Sequence, residues 1–129
     1  MSYGMSTRLR APFGETVKRV RAALKDQGFG VLTEIDVRAT LQDKLGEGME
    51  DYLILGACSP PLAHRALGVD RRIGLLLPCN VVVRADGDQT VVEALDPQVM
   101  VAVSRQPDLK PVAEEATRRL AAALGTLRS

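Results

Sequence analysis

The chain has 129 residues, the size of one domain with a core of its own, and its 46% hydrophobic and 26% charged residues are ordinary globular usage rather than the balance of a disordered chain. Seventeen Lys and Arg against sixteen Asp and Glu leave a formal net charge of +1 without any dense basic run, which argues against a nucleic-acid partner, since phosphate binding needs concentrated positive charge, and which permits self-association. Aromatic residues at 3%, with no Trp, leave little for base or sugar stacking and demand an aliphatic core.

Residues 1–10 contain no apolar signal region, and no apolar run approaches the roughly 20 residues of a membrane span. A cytoplasmic protein without membrane contact is expected, its two cysteines kept as reduced thiols. Met5 is a plausible second start, so residues 1–5 read as a flexible tail on a single domain spanning 1–129.

Pro12 precedes a segment in which Phe13, Val17, Val20 and Leu24 recur at helical spacing, with Glu15, Lys18, Arg19, Arg21 and Lys25 on the other side. Gly28 stands where a helix C-cap glycine belongs. Residues 30–38 alternate, with Val31, Thr33, Ile35 and Val37 on one face, and predict a strand with that face buried. A short helix over 39–46 carries Leu41 and Leu45 and gives way to a polar loop at 46–48. Residues 52–58 predict a second strand, stopped by Ser59-Pro60-Pro61, with Ser59 as the N-cap of a helical segment through 62–67.

The most apolar stretch, 73–84, is broken only by Pro78, Cys79 and Asn80, and 90–95 follows across the turn 85–88. The pair reads as a hairpin, with Pro78 at a bulge or at a kink between two strands. Asp96-Pro97 opens a short helical turn through Met100. Asp108 caps a last helix with Val112, Ala116, Leu120 and Leu124 inward and Glu114, Glu115, Arg118 and Arg119 toward water. This order predicts an α+β protein, one antiparallel sheet with helices gathered on one face.

Several strings carry a family likeness: Gly28 to Val37 (GFGVLTEIDV), Tyr52 to Cys58 (YLILGAC), Leu62 to Leu67 (LAHRAL), Leu76 to Val83 (LLPCNVVV) and Val92 to Pro97 (VEALDP). In their order and spacing they resemble the bacterial and archaeal domain-of-unknown-function family 302, over nearly the whole chain from Arg8 onward. The resemblance implies a fold similar to one copy of the TATA-binding-protein repeat, a curved antiparallel sheet with helices on one face, and it implies a homodimer. It carries no activity onto any residue, and fold alone does not bring DNA binding with it.

The single histidine, His64, follows Cys58 in a Cys-x5-His spacing, and Cys79 lies in the next apolar segment. If the strands bearing Cys58 and Cys79 are neighbours, three ligands suited to Zn or Cu(I) converge. A closed zinc site wants a fourth ligand and tight Cys-x2-Cys spacing, and Glu34 or Asp36 completes the set only if the fold brings it close; neither metal nor cofactor is expected. As a thiol, Cys58 is the more reactive candidate, since a helix start and His64 favour its thiolate, whereas Cys79 lies among Leu75, Leu76, Leu77 and Val81, where burial keeps it protonated. The plain alternative is two small apolar core residues and a surface histidine.

Glu34 and Asp36 share a strand face, which alternation alone also explains. Asn80, a polar residue in apolar surroundings, is expected to satisfy backbone groups at a bulge, with ligand recognition as the other reading. No nucleotide-binding, metalloprotease or serine-hydrolase string occurs. The expected function is a non-enzymatic homodimeric module that binds a small ligand or a partner, its dimer argued from residues 74–83 being apolar on both faces of a strand. The alternative is a thiol-dependent redox or soft-metal protein using Cys58 with Cys79 and His64.

Overall fold

The computed structural model describes residues 2–127. In chain order they form β1 (Gly4–Leu9), α1 (Phe13–Asp26), β2 (Gly30–Asp36), α2 (Val37–Leu45), β3 (Tyr52–Cys58), α3 (Pro60–Val69), β4 (Cys79–Asp86), β5 (Gln89–Leu95), α4 (Gln98–Ser104) and α5 (Lys110–Gly125), with 3-10 turns at Arg71–Leu76 and Pro107–Leu109. The strands make one five-stranded sheet in the order β1-β5-β4-β3-β2, antiparallel throughout. The protein is α+β, with α1, α3, α4 and α5 burying their apolar residues on one face of that sheet.

Register explains the one-sidedness. Leu55, Val81, Ala94 and Met5 form one row across β3, β4, β5 and β1, and Leu53, Val83, Val92 and Thr7 form the next. Because strand side chains alternate, both rows point the same way, and they meet Val20 and Leu24 of α1 and Val112, Ala116, Leu120 and Leu124 of α5 in one aliphatic core. Leu55 and Leu120 are fully buried. Two buried hydroxyls in this core are satisfied: Thr16 donates to the Pro12 carbonyl at 3.0 Å and Thr90 to the Ala11 carbonyl at 2.9 Å.

Several expectations need correction. Gly4 and Met5 belong to β1, and the Tyr3 carbonyl accepts from the Asp96 N–H at 2.8 Å, so these N-terminal residues are part of the sheet rather than a tail; residue 1 lies outside the described residues. In β2 the register shifts between Val31 and Thr33, which turns Val31 toward the helices and Thr33 and Ile35 toward the opposite face; no residue of this edge strand is fully buried. Val37 and Arg38 open α2 instead of ending β2, because the Asp36 carboxylate accepts the Ala39 N–H at 2.8 Å and caps the helix. Residues 73–77 are not a strand. The Asp70 carboxylate accepts the Arg72 N–H at 2.9 Å and winds Arg71–Leu76 into a 3-10 turn, after which Pro78, joined through a cis peptide, leads straight into β4. Asp108 sits in a 3-10 turn and gives α5 no side-chain cap, since α5 begins on Leu109 with helical backbone.

Two glycines are required by the backbone. Gly28 takes a φ of +83°, ending α1 as the sequence predicts. Gly56 lies where β3 is crossed closely: a Cβ there would collide with Thr33 Oγ1 and sit 2.8 Å from Cγ of Pro78. We expect Gly56→Ala to lower stability by about 1–3 kcal/mol through overpacking, and Thr33→Ala in the same chain to restore part of the loss. Denaturant midpoints of the wild type and the two variants check this; an unchanged midpoint for Gly56→Ala refutes the tight crossing.

Candidate functional site

Two places on this frame gather chemistry. The first is the end of the sheet where β3 stops and β4 starts. Ala57 pairs with Cys79, so Cys58, the last residue of β3, lies one position beyond the partner of Cys79, the first residue of β4. Both cysteines border a small, partly open cavity of about 30 Å³, otherwise lined by apolar groups such as Leu62, Leu77, Pro78 and Met100. Cys58 is partly exposed and Cys79 is buried, and both thiols are free. Burial, reinforced by the nearby Cys58, pushes the Cys79 thiol up from 9.0 to about 11.

Ser59 borders the same cavity, and its hydroxyl is the exception among the buried side chains. The residue is 3% exposed, and its Oγ has no hydrogen-bond partner among the described residues. The sequence explains why. Ser59 stands at the N-cap of α3, where a hydroxyl normally accepts an N–H from the second or third helical residue; the second is Pro61, which has none to give, and the third, Leu62, makes no cap bond to it. An unpartnered buried hydroxyl costs about 1–3 kcal/mol. Reading Ser59 as an ordinary cap therefore missed it; the double proline after a serine is the signal that could have found it.

The second place is the face of the sheet turned away from the helices. There Ile35, Ile54, Val82 and Glu93 lie side by side across β2, β3, β4 and β5, next to a row of Tyr52, Arg84, Val91 and Arg8. Arg84 donates to Glu93 at 2.9 Å and Arg8 to Asp86 at 2.7 Å. The hydrogen bond from Arg8 holds the Asp86 carboxyl below the usual range, and the bond to Glu93 holds the Arg84 guanidinium above its usual value. An open hollow of about 290 Å³ on this face is edged by Tyr3, Tyr52, Asn80, Val82, Glu93 and Leu95.

The other sequence candidates fall elsewhere. Asn80 is exposed and satisfies no bulge; β4 runs unbroken in register and the irregularity lies in β2. Glu34 accepts from Arg21 of α1 at 2.9 Å, a partly exposed ion pair between strand and helix, and is thereby separated from the cysteines. Asp36 is the cap of α2. His64 is exposed on α3 and does not border the thiol cavity. Among the described residues no three His, Cys, Asp or Glu side chains are grouped to hold a metal ion, so the convergence of Cys58, His64 and Cys79 does not form.

The family model for the domain of unknown function DUF302 matches residues 5–127. The chain belongs to the DUF302 family. It is also similar to a solved structure, the uncharacterized conserved protein DUF302 from Bacillus stearothermophilus, at 31% identity and a TM-score of 0.93, covering 99% of this chain and 100% of that one. No curated protein matches it. A family of unknown function assigns no residue a role, so for this DUF302 chain the chemistry rests on the geometry above. No helix among the described residues is long and apolar enough to cross a membrane.

Two outcomes follow from the thiols. Cys58 is alkylated faster than Cys79 in the folded protein at neutral pH, checked by mass-mapped labelling, because Cys79 is both buried and protonated. The raised Cys79 value means that the folded state holds its proton more tightly than the unfolded chain. Its contribution is complete below pH 9.0 and is lost as pH rises toward about 11, a fall of about 2–3 kcal/mol. Unfolding titrations across that window should show the fall in the wild type and a weaker one in Cys79→Ala; equal slopes would contradict the assignment.

Proposed function

We propose that the chain is a non-enzymatic binding module that works as a homodimer, with the uncovered face of the sheet as its interaction surface. The observation that supports this is the row of Ile35, Ile54 and Val82 on three neighbouring strands of a face that carries no helix of the core. Ile35 is 49% exposed, and β-branched residues set side by side in the open favour burial against another surface. The expected strand over residues 74–83, apolar on both faces, does not form, since Gly74 belongs to the 3-10 turn and β4 begins at Cys79.

A second copy of the chain is the occupant best matched to the face. Arg84 and Glu93, and Arg8 and Asp86, place both signs of charge beside the apolar row, so two such faces related by a two-fold axis can set each cation against an anion. The net charge of +1 offers little repulsion. In this arrangement the hollow beside Asn80 is roofed by the partner, giving a small ligand two tyrosine rings, an amide and a carboxylate from each copy. A cytoplasmic setting fits two cysteines that remain free thiols.

Light scattering over a dilution series tests the reading. The wild type should give a dimer mass at micromolar concentration. Val82→Asp, which buries a charge in the contact, should raise the dissociation midpoint at least about tenfold with its circular dichroism unchanged. A wild-type monomer, or a dimer indifferent to Val82→Asp and Ile54→Asp, would refute it.

A further inference from the structure

The cavity at the end of the sheet is separate from the proposed interaction face, and one polar group gives it a chemistry of its own. The backbone of Ser59 is extended (φ −100°, ψ 109°). Two residues after the buried Ala57, its side chain therefore points to the same side of the sheet, toward the helices. There it borders the cavity, and among the described residues its Oγ is the one buried side-chain oxygen or nitrogen without a hydrogen-bond partner. The other lining groups are aliphatic or aromatic carbon, apart from the two cysteines, which are weak hydrogen-bonding groups.

Three physical limits define what fits. The volume of about 30 Å³, set against the roughly 10–15 Å³ that a water needs, leaves room for about two or three groups of that size. A water settles where it finds 2–4 polar partners, whereas this cavity presents one hydroxyl, so an occupant must bring carbon as well as oxygen. It must also be neutral. No cationic side chain lines the cavity, and Pro60 and Pro61 remove two of the N–H groups with which the start of α3 would otherwise hold an anion.

We propose that this cavity is a binding site for a small neutral oxygenated aliphatic molecule, of the size of ethanol, whose oxygen hydrogen-bonds to the Ser59 hydroxyl. Its carbons lie against Leu62, Leu77 and Met100. The occupant supplies the partner that the double proline denies the serine, so the hydroxyl that folding leaves unpaired becomes the group that selects the ligand. The cavity is partly open, which gives the molecule a way in.

The test is an amide NMR titration of the full chain with ethanol, and with acetate as its charged counterpart. Ethanol should shift the amides of residues 57–63 and 77–79 saturably, with a dissociation constant on the order of 1 mM, the limit for a ligand of so few atoms. Acetate should leave them in place. Ser59→Ala should weaken ethanol binding roughly fivefold, the worth of one hydrogen bond. Because that change deletes an unpartnered hydroxyl, the denaturant midpoint of the variant without ligand should be no lower than that of the wild type. The wild-type titrations depend on no variant folding. Ethanol shifts that are absent, or scattered over the surface without saturating, overturn the site and leave water as its occupant. Acetate binding as well as ethanol overturns the neutral class. An ethanol affinity indifferent to Ser59→Ala, or a lowered midpoint of that variant, overturns the part given to the hydroxyl.

Discussion

The contact between the aliphatic stripes of α1 and α5 and the inward rows of β3, β4, β5 and β1 decides what is inside this protein. With almost no aromatic residues, the core is assembled from Leu, Val, Ile and Ala, whose burial is worth area rather than specific geometry. Alanines at 113, 116 and 123 let α5 lie close to its neighbours while Leu120 and Leu124 fill between them. Once that face is committed, alternation fixes the other: every residue next to a core position on a central strand must face away from the helices. The row of Ile35, Ile54 and Val82 and the ion pairs beside it are consequences of the same register that buries Leu55 and Val81.

How far the fold was legible depended on whether local and tertiary preferences agreed. Tyr52–Cys58 was readable to the residue because a run of apolar side chains ends at two prolines, and both prolines suit the first turn of the helix that follows. The hairpin of β4 and β5 was readable from its turn. Arg71–Leu76 was not, since Ile73, Leu75 and Leu76 look like a strand by composition. A carboxylate at Asp70 starts a turn there, and Leu75 is left 78% exposed where a strand would have hidden it. β1 carried its alternation openly in Met5, Thr7 and Leu9, but its position near the chain start invited reading it as a tail.

The candidate site was legible in its residues and not in its arrangement. Cys58 and Cys79 were recognisable as a pair only on condition that their strands were neighbours, and the register of Ala57 with Cys79 meets that condition. Glu34 and Asp36 looked like paired carboxylates because alternation puts them together; the fold then engages each separately, one with Arg21 and the other with the start of α2. Nothing in a linear pattern distinguishes a carboxylate held by a neighbouring helix from one aimed at a substrate. Ser59 escaped because its type and place satisfy the rule for a helix cap, while the two following residues remove one of the donors that the rule presupposes.

β4 ties the two candidate sites together. Cys79 faces the cavity and Asn80, its neighbour, faces the open hollow, so the two sites meet back to back across a single peptide unit. Gly56 stands opposite Asn80 in register and must stay without a side chain because Thr33 and Pro78 press on it from the open side. The β3–β4 pair therefore has no room for a side chain at the point where the two candidate sites adjoin.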